Sequence, residues 1–188
     1  MAAPMQRGAN VSLTREVPGL RRAVLGVRWN AGAETVLDEN LVVATILCDA
    51  DSRAISDEHF VFFNQLASPD LSVQQLESAL GGDKEQVEVD LDAIPENVER
   101  IVVVAYVNEG PGSRRTLGQL RSCEVRVLDA TDNRELVRSE ELAQGLTGET
   151  ALALGELYRH AGEWKFKVLG QAYAGGIGKL ATDYGLTV

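Results

Sequence analysis

The stretch Glu149–Val188, ETALALGELYRHAGEWKFKVLGQAYAGGIGKLATDYGLTV, decides how the rest of the chain is read. Trp164, Phe166 and Val168 alternate with Lys165 and Lys167, the period of a half-buried strand, and His160-Ala161-Gly162 supplies the turn before it. Ile177, Leu180, Ala181 and Tyr184 then fall at i, i+3, i+4 and i+7, one face of a short helix that Gly185 is placed to end. The spacing predicts strand, turn, strand, glycine loop and helix.

Working back toward the N-terminus, the same alternation recurs. Leu41–Leu47 (LVVATIL) and Arg100–Val107 (RIVVVAYV) are continuous apolar runs of strand length, expected at sheet centres and buried on both faces. Leu25, Val27 and Trp29, then Val87, Val89 and Leu91, then Cys123, Val125 and Val127, mark strands with one polar face, and Glu135–Leu142 another. Val11 and Leu13 begin a strand that Pro18-Gly19 stops, and the aromatic HFVFFN of His59–Asn64 reads as a strand whose rings enter the core. Asn30–Asn40 reads as a polar loop, Asn108–Gly118 as a second loop, and Val73, Leu76 and Leu80 as a weak helical stripe ended by Gly81-Gly82. About nine closely spaced strands favour a mainly β fold, a sandwich of two sheets with a few short helices, over a βαβ arrangement. Residues 1–9 are expected as a flexible tail and 10–188 as one domain.

Composition narrows the function. With 28 acidic and 18 basic residues and a net charge of −10, the chain lacks the clustered basic residues that phosphate neutralisation requires, which argues against nucleic acid as a partner. Cys48 and Cys123 lie in apolar runs and read as buried free thiols. The N-terminus has no apolar core of a signal peptide, and no run approaches the roughly 20 apolar residues of a membrane span. A soluble, cytoplasmic protein without direct membrane insertion is expected.

Motifs for catalysis fail in detail. His59 and His160 stand in separate blocks with no nucleophile motif and no HExxH spacing. The AGGIGK run, Ala174–Lys179, has Tyr173 and Leu180 where a phosphate loop needs glycine and Ser or Thr, and Asp49–Phe60 lacks the glycine and the final glutamate of an EF-hand. Glu156 and Glu163, which flank the hairpin, read as solvated strand-face residues. No enzymatic activity is expected.

Several blocks together resemble one family. GELYRH (Gly155–His160), GEWKF (Gly162–Phe166), GQAYAGG (Gly170–Gly176) and DYG (Asp183–Gly185) are similar to the C-terminal signature of the TerD family, bacterial tellurium-resistance and stress-response domains. NVSLTREVPGL (Asn10–Leu20) and FVFFN with Ser68-Pro69-Asp70 resemble its other blocks. The resemblance implies a TerD-like β-sandwich, calcium bound by clustered acidic side chains, and partners among other Ter-type proteins or a stress-response assembly. Through such partners the protein would also lie peripheral to the membrane.

The metal segments depart from the family pattern. Asn30, Asn40 and Val42 stand where the family has aspartates, and LSVQQLESALGGDKEQ (Leu71–Gln86) replaces its acidic glycine-rich loop, with Asp83 and Glu85 keeping the loop's acidic character. The residues left to hold an ion are Asp38, Asn40, Asp83 and Glu85. A calcium ion wants six to eight oxygen ligands, several of them charged, so the expectation is calcium weakly bound or lost. The alternative is a calcium sensor with a rearranged acidic site. A helix over the 73–80 stripe, packed on the sandwich edge, is expected to close the space where the ion would lie.

Overall fold

The computed structural model describes residues 4–108 and 114–187. In chain order its elements are β1 (Asn10–Ser12), α1 (Leu13–Glu16), β2 (Arg22–Asn30), α2 (Thr35–Asn40), β3 (Leu41–Cys48), β4 (Phe60–Val61), β5 (Val73–Gln75) and β6 (Glu85–Asp90). They continue as β7 (Arg100–Val107), β8 (Ser122–Asp129), β9 (Glu135–Arg138), β10 (Ala151–His160), β11 (Glu163–Tyr173) and α3 (Gly176–Asp183). The strands form two antiparallel sheets, ordered β1-β11-β10-β7-β3-β4 and β5-β6-β2-β8-β9. Their facing sides meet in one core, to which Leu25, Val27 and Val87 contribute from the second sheet and Val43, Val103 and Phe166 from the first. This is the β-sandwich that the alternation predicts.

The two unbroken apolar strands, β3 and β7, are neighbours inside the six-stranded sheet. They need apolar residues on both faces because α3 covers the face turned away from the other sheet. There Leu180, Ala181 and Tyr184 pack on Ala44, Ile46, Val102 and Val104. The helix ends as the sequence predicts: Gly185 adopts φ +77°, its N–H donates to the Thr182 carbonyl at 3.0 Å, and the Leu186 N–H donates to Ala181 at 2.8 Å. Alanine at 185 should therefore lower stability by about 1 kcal/mol and the melting midpoint by roughly 2–4 °C, read by thermal unfolding. An unchanged midpoint would mean the cap contributes nothing.

The β10–β11 hairpin turns through Ala161 and Gly162, at φ +52° and +79°, as the HAG sequence predicts. Other segments differ from expectation. Residues 5–9 are docked: Met5 N–H donates to the Arg138 carbonyl and Gly8 N–H to Val168, each at 2.8 Å, so this segment bridges the edges of the two sheets. Residues 1–3 of the expected tail, and 109–113 of the Asn108–Gly118 loop, lie outside the described residues. The polar loop before β3 contains α2, and Leu13, read as part of the first strand, opens α1 behind the Ser12 cap.

The aromatic block forms only the two-residue β4. A turn in which Phe62 and Gln65 exchange backbone hydrogen bonds stops the strand, leaving Phe60 buried, Phe62 half-buried and Phe63 50% exposed. The helix expected over the 73–80 stripe is absent: Val73–Gln75 is a strand paired with β6, and Leu80 is exposed. Both cysteines are free and buried, and burial first of all pushes each thiol up to about 12.

Candidate functional site

Along β2, Leu25, Val27 and Trp29 face the core, so Gly26 and Arg28 lie on the outer face of the five-stranded sheet. The register sets Gly26 between Gln86 of β6 and Arg126 of β8. With no side chain at 26 a hollow forms there, and the Asp83 carboxylate fills it; a Cβ on residue 26 would overlap that carboxylate. Gly26 is thus needed for a close approach in a strand otherwise suited to larger side chains.

Asp83 is saturated in this hollow. Its side chain is fully buried and accepts from Arg126 Nε at 2.8 and 3.0 Å, from Arg28 Nε at 3.0 Å and from Gln86 Nε2 at 2.7 Å. The arginines also clasp the preceding turn, Arg28 Nη2 donating to the Gly81 carbonyl at 2.6 Å and Arg126 Nη2 at 3.3 Å. Gly81 and Gly82 make that turn possible at φ +68° and +87°. Arg126 Nη1 lies 3.5 Å from Glu135, so two guanidiniums and two carboxylates balance.

The other expected ligands are engaged separately. Asp38, on α2, accepts from the Trp29 indole at 2.7 Å and pairs with Lys84 at 3.3 Å. Asn40 donates its side-chain amide to Val36 of its own helix at 2.8 Å. Glu85 lies on the inward side of β6, half-buried, and accepts from Gln75 at 3.2 Å. Among the described residues no three of Asp, Glu, His and Cys gather as a metal cluster.

These side chains do not fit the calcium ion that the family resemblance implies. An ion at Asp83 would have to displace two guanidiniums whose charge repels it, and Asn40 offers no charge. The arginines are what sequence reading missed. Their only signal was Gly26, a glycine inside an otherwise regular strand.

Glu85 carries a different electrostatic signature. Burial raises its pKa above the ordinary 4.5, and the Gln75 hydrogen bond opposes the rise only in part. A carboxyl with a raised folded-state pKa binds protons more tightly in the native state. Its contribution therefore favours folding at low pH and falls as pH rises from the unfolded value through the folded one. Glu85→Gln should consequently gain stability relative to the parent as pH goes from 4 to 7, by urea unfolding at each pH. A difference independent of pH would show Glu85 to be fully solvated.

Glu156, read as solvated, is buried and pairs with Arg100 at 2.8 Å. Glu163 accepts from Ser12 and Arg15, tying the hairpin to α1. His59 bonds Ser56 at 2.7 Å and His160 is exposed at the hairpin turn.

The TerD domain profile matches residues 1–184. The chain belongs to the TerD family. It is similar to general stress protein 16U of Bacillus subtilis, 37% identical over the whole of both chains. It is also 33% identical to the tellurium resistance protein TerD of Serratia marcescens, over 99% of this chain and 98% of that one. A solved homologue of telluride resistance protein TerD from Streptomyces coelicolor A3(2) covers 87% of this chain and 96% of its own at a TM-score of 0.65 and 20% identity, a likeness of fold. This TerD chain also has no helix, among its described residues, long and apolar enough to cross a membrane.

Proposed function

We propose that this TerD-family protein acts in the stress response as a non-enzymatic interaction module whose calcium binding is weakened or lost. The observation that carries this reading is the Asp83 cluster: a carboxylate of the segment that replaces the acidic loop is neutralised by Arg28 and Arg126 of the same chain. A cation that would order the loop in a metal-dependent relative has no task here, because the two guanidiniums already clasp its carbonyls. The module works in the cytoplasm with other Ter-type proteins or a stress-response assembly, and reaches a membrane only through them.

The side chains with chemical potential support a non-catalytic role. Both thiols titrate near 12, far above neutral pH, and so are poor nucleophiles there. His59 is occupied by Ser56, and His160 stands on a hairpin tip.

Calorimetric titration of chelator-treated protein with CaCl2 tests the proposal. No saturable heat is expected up to millimolar calcium. Saturable binding at micromolar calcium would replace this reading with that of a sensor built on a rearranged acidic site.

A further inference from the structure

Five large apolar side chains stand exposed among the described residues: Val36, Phe63, Leu66, Leu71 and Leu80. Phe63, Leu66 and Leu71 lie in the segment joining the edge strands β4 and β5, Val36 in α2, and Leu80 between β5 and β6. Phe63 and Leu66, each 50% exposed, line a cleft of about 420 Å³ together with Val42 and Leu76.

The polar lining of this cleft has one sign. Glu39, Glu77 and Glu85 contribute carboxylates, and among the described residues no lysine or arginine lines it. Lys84, the nearest cation in sequence, is turned to Asp38. Glu85 has Gln75 Nε2 as its donor; Gln75, whose side-chain oxygen is buried without a hydrogen-bond donor among the described residues, also lines the cleft. A buried acceptor with no donor is costly, and a carboxylate held in an apolar mouth is unfavourable unless a cation joins it.

We infer that this mouth is a docking site for a short segment of a partner protein carrying a lysine or arginine flanked by apolar side chains. The cationic head meets Glu85, Glu39 and Glu77 complement its charge, and the neighbouring apolar groups cover Phe63 and Leu66. The cleft between β1 and β9 is not of one sign, since Arg134 stands with Glu16 and Glu135 in its lining. The inference rests on the interaction-module reading and names its surface.

The test is selection from a random dodecapeptide library against the full chain, followed by affinity measurement of selected peptides on four variants. Enriched peptides should combine a basic residue with apolar neighbours. Glu85→Gln and Leu66→Ser should each weaken them about tenfold, whereas Glu96→Gln and Leu71→Ser, exposed sites outside the cleft, should change affinity less than about twofold. Circular dichroism establishes that each variant is folded. No enrichment, enrichment of acidic or uncharged peptides, or equal weakening by Glu96→Gln would overturn the inference. A dimer in sedimentation that Leu66→Ser dissolves would also overturn it, by making a second copy the occupant. Failure here without calcium binding leaves an interaction module using another surface, whereas saturable calcium heat overturns the module reading itself.

Discussion

Asp83→Ala is expected to destabilise the protein by about 3–5 kcal/mol, the scale for removing one partner from a buried ion pair. The variant leaves Arg126, with a side chain 10% exposed, and Arg28, 30% exposed, without the carboxylate that neutralises them. It also leaves the Gln86 amide with only the Leu80 carbonyl, at 3.1 Å, as acceptor and empties the hollow above Gly26. Glu135, at 3.5 Å from Arg126, cannot replace contacts of 2.8 Å. Urea unfolding reads the loss, and a cost below about 1 kcal/mol, the range of exposed pairs, would mean that water already solvates the cluster. The double variant Asp83→Leu with Arg126→Met separates charge from packing. It should recover much of the loss, because a buried pair replaced by apolar groups of similar size is often neutral.

Phe166→Ala is the other large effect, about 3–5 kcal/mol, as for a buried aromatic ring removed from a core. Phe166 is fully buried on β11, its ring over Gly155 of β10, where a Cβ would collide with it. The β10–β11 register shifts between Ala153 and Gly155, so ring and bulge fit one another at the centre of the hairpin. The six-stranded sheet is built outward from this hairpin, with β1 on one side and β7 on the other. The loss should appear in the unfolding midpoint with little change in denaturant slope. A cost below about 1 kcal/mol would show that the core collapses freely into the space.

These two side chains also divide what the sequence made legible from what it did not. Phe166 could be placed by inspection because a strand's period is local: its neighbours at 164 and 168 share its face. Likewise β3 and β7 declared themselves by being apolar on both faces, Thr45 and the terminal Arg100 apart, a need explained by the second sheet on one side and α3 on the other. The 73–80 stripe misled because three apolar residues at helical spacing have unrelated placements. Val73 enters the core from a strand, Leu76 lines the cleft, and Leu80 faces solvent. The short α2 escaped because Glu34 provides no side-chain cap for its N-terminus.

The Asp83 cluster is a product of register. Arg28 and Arg126 lie 55 and 43 residues from Asp83 in sequence, and each reads alone as a solvated residue on a polar strand face. Only the placement of Gly26 opposite both Gln86 and Arg126 makes the three converge. Acidic residues were therefore recognisable as candidate ligands, whereas the cations that neutralise them required the sheet.

The chain's own guanidiniums do here what a metal would otherwise do. Thermal unfolding of the full chain in 2 mM CaCl2 and in excess chelator decides it. An ion bound only by the native state with a dissociation constant near 10 µM would add about 3 kcal/mol at that concentration, roughly 6–12 °C for a domain of this size. Coincident midpoints in the two solutions are the predicted result, and a rise of several degrees with calcium would contradict it.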